Sequence, residues 1–216
     1  VFSDDPTRGR AAQRNRSEEP RLRVSSTKVN DDRLFGYVTR DGVVAIPHRF
    51  TWAGDFVEGS ALVVVGELDG MIDETGAWIV KPGQYDRLAP RSEGYVAFAK
   101  GGRWGLLDSK GRVWEPAVFE ALDDPPEVSE GLCAVRHEGR LKYIDDRGNV
   151  RIVLPAEAKR AFRFSCGRAC VGLSVTEDGQ ESVRYGYIDR SGAFVIAPVY
   201  RTAGMFSQGV APVAYD

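Results

Sequence analysis

Apolar positions along the chain fall into short words rather than long stretches, and three kinds of word recur in a fixed order. The first is strand-like and runs into an acid, as in Gly70-Met71-Ile72-Asp73 and Tyr185-Gly186-Tyr187-Ile188-Asp189. A turn ending in Gly follows. The second word closes on proline, as in Val44-Ala45-Ile46-Pro47 and Phe194-Val195-Ile196-Ala197-Pro198. After a variable stretch come a Gly and a third word, such as Gly94-Tyr95-Val96-Ala97-Phe98 or Gly131-Leu132-Cys133-Ala134-Val135. All are rich in Val, Ile, Tyr, Phe and Trp and bounded by Gly, Pro and Asp. They lack the 3.6-residue apolar period of a helix, so the pattern predicts β-strands and few helices.

The words keep time. Turn glycines stand at 42, 76, 111, 148 and 192, in steps of 34, 35, 37 and 44. The glycines before the third word stand at 59, 94, 131, 167 and 209, in steps of 35, 37, 36 and 42. Two landmarks in one register define an internal repeat, with copies at about 34–65, 66–100, 101–137, 138–173 and 179–216. The long last step reflects an insertion, Thr176 to Ser182, of a kind that surface connections accept at small entropic cost.

Turn chemistry orders the strands. Asp73, Asp108, Asp145 and Asp189 each precede a turn Gly by three residues, where an aspartate side chain can cap a tight turn and Gly can take positive φ. First and second words therefore form a hairpin. The closing proline cannot donate to a ladder and sends the chain into a loop. The third word then joins the next copy's first word through turns such as Lys100-Gly101-Gly102, giving three-stranded meanders spread across copy boundaries. Leu22 to Val29, followed by Asn30-Asp31-Asp32, supplies a third-type strand ahead of Phe35, whereas Val210 to Tyr215 is a third-type strand with no hairpin after it. Residues 1–20 are polar and read as an N-terminal arm, leaving 21–216 as the β domain.

Arg103-Trp104-Gly105-Leu106-Leu107-Asp108, with Val128-Ser129-Glu130-Gly131-Leu132-Cys133 and Phe206-Ser207-Gln208-Gly209-Val210-Ala211, resembles the two ends of the WG-repeat (KWG-repeat) consensus. The resemblance extends over about residues 34–214 as five degenerate copies. Literal Trp-Gly occurs only in copy three, and Lys142 replaces the Gly in copy four. The resemblance implies an all-β tandem array that serves as an interaction surface, with no catalytic residue set, cofactor or metal attached to it. Repeated units of this kind bury their apolar faces against their neighbours. An open array is the expected form, a curled, propeller-like closure the alternative.

Charge narrows the partners. Twenty-nine basic residues against 31 acidic give a net charge of −2, which argues against nucleic acid or an anionic membrane surface. No apolar run approaches the roughly 18 residues of a membrane helix. The compartment stays open between cytoplasm and export. Three cysteines are too few for a disulfide scaffold, and Cys166 and Cys170 are read as small strand residues, with a local bridge as the other option.

Catalytic chemistry is sparse. His48 and His137 share no motif with a serine or cysteine, and no metal-protease, nucleophile-elbow or phosphate-loop word occurs. Glu58, Glu93 and Glu130, each just before the second-series glycine, form a line of carboxylates, read as a solvated loop face or a cation-binding stripe. Phe50, Tyr85, Phe119 and Tyr200 follow the closing prolines at similar offsets and read as repeated packing anchors, with an aromatic groove as the alternative. The expectation is thus a non-enzymatic scaffold that binds another protein, including as a subunit of a larger assembly. Its contact regions are the variable stretches Glu120–Val128 and Ala156–Ala161 or an exposed strand edge. The alternative is a glycan or cell-envelope ligand-binding module of an exported protein.

Overall fold

The structure, a computed structural model, describes residues 22–215 apart from 30, 31, 123 and 178; the N-terminal arm lies outside the described residues. Within them there are only strands, turns and irregular segments, arranged as antiparallel sheets that follow one another in chain order. The first sheet holds β1 (Arg23–Val29), β2 (Asp32–Val38) and β3 (Val44–Phe50). The second holds β4 (Trp52–Ala53), β5 (Ser60–Val65), β6 (Leu68–Asp73) and β7 (Trp78–Val80). The third is β8 (Arg87–Leu88), β9 (Val96–Lys100), β10 (Arg103–Leu107) and β11 (Val113–Phe119). The fourth is β12 (Val128–Ser129), β13 (Leu132–His137), β14 (Arg140–Asp145) and β15 (Val150–Val153). The fifth is β16 (Ala158–Ser165), β17 (Arg168–Glu177), β18 (Gln180–Ile188) and β19 (Phe194–Tyr200); β20 (Thr202–Ala203) and β21 (Val213–Ala214) make the last.

Each middle sheet is thus the expected meander of third, first and second words across a copy boundary, with one addition. The loop after the closing proline contributes a fourth, edge strand. It is short in three of the four sheets because only a few of its residues pair before the chain departs; Arg87 and Leu88, for instance, pair with Ala99 and Phe98. No sheet closes into a barrel, and among the described residues no strand pairing joins the first sheet to the last.

Four apolar clusters lie between successive sheets and hold the array together. Tyr37, Ile46 and Phe50 of the first sheet meet Ala61, Val63 and Ile72 of the second. Met71 and Val80 meet Val96, Phe98 and Leu107. Leu106 and Phe119 meet Cys133, Val135 and Ile144, and Leu141, Tyr143 and Leu154 meet Phe164, Val171 and Ile188. Side chains alternate sides along a strand, so β13 sends Cys133 and Val135 toward the third sheet and Leu132 and Ala134 toward the fifth. A strand covered on both faces has no polar positions to alternate with, which is why the third words read as continuous apolar runs.

The Trp-Gly glycine has a packing cause. In copies one, three and five the second strand is seven residues long and crosses the first strand with register shifts. A Cβ on Gly36, Gly105 or Gly186 would stand 2.5–2.7 Å from backbone oxygen of that strand. In copy four the second strand is only four residues and Lys142 pairs with Val153 at its end, so a side chain fits where the family has Gly.

Candidate functional site

The acidic residues are structural first. Asp73, Asp108, Asp145 and Asp189 accept hydrogen bonds from the amides two and four residues on, at 2.8–3.2 Å. Their carboxyls are held below the ordinary aspartate value. Side-chain donors lead at Asp73, Asp108 and Asp189, from Thr75, Arg112 and Ser191 respectively. At Asp145 burial pulls upward and the amides of Arg147 and Asn149 outweigh it. Copy one has Thr39 here, and its hydroxyl accepts the Val43 amide at 3.2 Å.

The line of glutamates is a clasp between repeats. Glu58, Glu93 and Glu130 have φ of 49°, 47° and 53°, and each is followed by a positive-φ glycine, so each pair forms the tight turn into the third strand. The Glu58 carboxylate accepts the amides of Glu93 at 3.1 Å and Gly94 at 2.7 Å. Glu93 does the same for Glu130 and Gly131 at 2.7 and 2.8 Å, and Glu130 accepts the Gly167 amide at 3.0 Å. Two successive positive-φ amides form an anion nest, and each nest is filled by the preceding copy's glutamate. The preceding serines reinforce it: Ser92, Ser129 and Ser165 donate to the carbonyls of Val128, Phe164 and Phe206 at 2.7–2.8 Å. Ser-Glu-Gly is therefore the word that ties one repeat to the next. Cys166 stands in the glutamate position of copy four, and with it the series of carboxylates stops.

Aromatic residues are divided between core and surface. Phe50, Tyr85 and Phe119 are buried anchors, while Tyr200 is half-buried against Tyr215, with ring centroids 4.9 Å apart. A second repeated unit is Tyr37, Tyr143 and Tyr187, whose hydroxyls donate to the carbonyls of Gly54, Phe162 and Gly204 at 2.7–2.9 Å. Their rings meet Phe56, Phe164 and Phe206 at 4.8–5.0 Å. In copies two and three Met71 and Leu106 take the tyrosine position.

Arg91 occupies the phenylalanine position of copy two, two residues before Glu93 as Phe56 is two before Glu58. It is 9% exposed. Its Nη1 and Nη2 donate to the carbonyls of Glu58 and Ser109 at 2.9 and 2.8 Å, and its Nε is buried with no partner among the described residues. Burial pulls its pKa down, and the Glu58 and Asp108 carboxylates act in the opposite direction. Composition gave no reason to single it out; its register against Phe56, Phe164 and Phe206 was the available signal.

Pro90 and Arg91 form a wall shared by two cavities. The larger, about 590 Å3, lies between the third, fourth and fifth sheets. The two variable stretches converge on it: Ala121, Leu122 and Asp124 to Glu127 from one side and Lys159 to Ala161 from the other, with Phe162, Arg163 and Met205. The smaller, about 440 Å3, is lined by Trp52, Gly54, Asp55, Leu62 and Met71. Trp52 is 47% exposed.

The remaining chemistry is dispersed. His48 Nε2 lies 2.9 Å from the Ser25 hydroxyl in the first sheet, and His137 sits edge-on to Phe119 at the end of β13. Cys133, Cys166 and Cys170 are free thiols, so the local Cys166–Cys170 bridge is absent. Among the described residues no three His, Cys, Asp or Glu side chains group as metal ligands, and no helix is long and apolar enough to cross a membrane.

Comparison with known proteins bears on this arrangement. The WG containing repeat family matches residues 35–68, 70–104 and 185–216. No curated protein matches the chain. A crystal structure of a eukaryotic initiation factor is similar in fold, with a TM-score of 0.56 over 91% of this chain at 9% identity. The N-terminal domain of Nup159 gives 0.40 over 88% at 9% identity. The matches cover 58% and 57% of those two chains, so this chain spans less than two thirds of either. Copies three and four, which the family match passes over, are those with Leu106 or Lys142 in the first word, yet they keep the same sheets, and copy three keeps the clasp glutamate, Glu130. The chain belongs to the WG-repeat family.

Proposed function

We propose that this protein is a non-enzymatic repeat scaffold that binds another protein through the cavity where its variable stretches meet. The observation that carries this reading is the convergence of Ala121, Leu122 and Asp124–Glu127 with Lys159–Ala161, about 35 residues apart in sequence, around one opening of about 590 Å3. Repeated clasps and inter-sheet clusters hold the surrounding sheets, so the loops are presented on a rigid frame, the usual division of labour between scaffold and recognition loops. Asp124-Pro125-Pro126 stiffens one wall, which lowers the ordering cost of binding. The acids that recur in the repeat, the turn aspartates and the clasp glutamates, are engaged in structural hydrogen bonds.

The test compares partner recovery by the intact chain with recovery by a variant in which 121–127 and 159–161 are replaced by Gly-Ser segments of equal length. Recovery is expected to be lost in the variant; unchanged recovery excludes the cavity. The second reading, a glycan or cell-envelope ligand, draws on Trp52, whose partly exposed ring lines the smaller cavity. A glycan array probed with the intact chain and with Trp52→Ala addresses it; no binding that depends on Trp52 removes it.

A further inference from the structure

We infer that the larger cavity takes a short acidic segment of its partner, with carboxylates of that segment meeting a cluster of cations on the wall. The inference rests on the protein-binding reading above and adds the chemistry of the bound segment. Five basic residues line the cavity, Arg91, Arg136, Lys159, Arg160 and Arg163. Among the described residues two acids oppose them, Asp124 and Glu127, on a chain whose overall charge is −2. The excess is therefore local and runs against the charge of the whole molecule.

Part of that excess is already engaged, Arg160 included. Glu127 is engaged by Arg163 at 2.6 Å, and Arg136 donates to the Lys159 carbonyl at 3.0 Å, a neutral group. Lys159 meets Glu181, which is outside the lining, at 3.7 Å. Arg91 is the most telling. A cation 91% removed from solvent, in a position filled by phenylalanine in three other copies, is held by two neutral carbonyls and no carboxylate within ion-pair distance among the described residues. The Glu58 and Asp108 carboxylates, beyond ion-pair distance, offset part of the cost of burying this charge, and a closer incoming carboxylate lowers it further. Arginine clusters recognise acidic motifs through this geometry, since the planar guanidinium presents paired donors to a carboxylate. Ala121, Leu122, Phe162 and Met205 supply apolar wall beside the cations, so the fitting segment intersperses acidic with apolar residues.

The experiment uses the full chain and fluorescein-labelled ten-residue peptides alternating Glu with Leu and Ser, together with the Gln and Lys counterparts, followed by fluorescence anisotropy. The Glu peptide is expected to bind at least tenfold tighter than the Gln peptide and to weaken as salt is raised, because the contacts are charged. Lys159→Glu with Arg160→Glu, both at the surface, is expected to weaken binding at least tenfold, whereas Lys81→Glu, away from the cavity, leaves it unchanged. Arg91→Gln, checked for folding by its urea midpoint, is expected to lose affinity as well. Equal binding of Glu and Gln peptides, or equal losses from the Lys81 and Lys159/Arg160 variants, overturns the inference. If the peptides show no charge preference while loop replacement still abolishes partner recovery, the acidic specificity fails and the docking cavity stands. If loop replacement leaves recovery unchanged, both fail.

Discussion

Glu93 Oε1 lies 2.7 Å from the backbone nitrogen of Glu130, its own counterpart in the next repeat. Each glutamate in the series therefore holds the turn that positions the following one. The contact is charge-assisted, and its acceptor is supplied by the same residue type that, one copy on, presents the donor. Replacing Glu93 by Ala leaves two turn amides to water and is expected to lower stability by about 1–2 kcal/mol. Glu93→Gln should cost less, since the amide oxygen still accepts. Urea midpoints at constant m-value test both.

Copy four offers the reverse experiment. Cys166 has φ of 53°, close to the values of the three glutamates, so the backbone already suits the clasp. Cys166→Glu is expected to supply a carboxylate to the Gln208–Gly209 turn and to raise stability by about 0.5–1 kcal/mol. A lowered urea midpoint would show that the clasp does not transfer to this boundary.

A methyl group at Gly105 would stand 2.6 Å from Phe98 Cζ and 2.7 Å from the Glu115 carbonyl oxygen, so Gly105→Ala forces apart strands that are packed on both faces. A loss of about 1–3 kcal/mol is expected, the usual scale of core overpacking. Lys142→Gly, at the matching position of copy four, should cost no more than about 1 kcal/mol, the entropic cost of a strand glycine. Thermal unfolding of the two variants separates a steric requirement from a mere family habit.

Thiol chemistry reports burial directly. Cys166 is exposed, while burial pushes Cys133 and Cys170 up to about 12. The native protein should release one equivalent with a colorimetric thiol reagent at pH 8, and three once unfolded in guanidinium. A second fast-reacting thiol in the native state would mean that the cluster between the third and fourth sheets, or the edge near Ala203, opens readily.

The turn aspartates set an acid limit. Their folded pKa values lie below the ordinary 3.8, so the stability they contribute is present above that pH and is lost as pH falls through the depressed folded values. Asp73→Asn combined with Asp189→Asn is expected to flatten the decline of the urea midpoint between pH 5 and about 2. An unchanged slope would assign the acid sensitivity to other carboxylates.

Turn and strand chemistry is written within a few consecutive residues, and there the sequence sufficed. The 35-residue cadence, the hairpins closed by Asp73, Asp108, Asp145 and Asp189, and the third-word strands follow from side-chain period and from the residues that tolerate each turn. Burial of Phe50, Tyr85 and Phe119 followed from their repeated offset. Tertiary structure decided what lies across sheets. Glu93 could be seen to recur, but only the stagger of one sheet on the next brings its carboxylate to the amides of Glu130 and Gly131, so a line read as a solvated face or cation stripe became a clasp. The fourth strand of each middle sheet escaped notice because its few paired residues carry no period of their own. The same holds for Arg91 and the cavity beside it: the meeting of Asp124–Glu127 with Lys159–Ala161 depends on distances between segments with no local signal for one another, which only the packed array supplies.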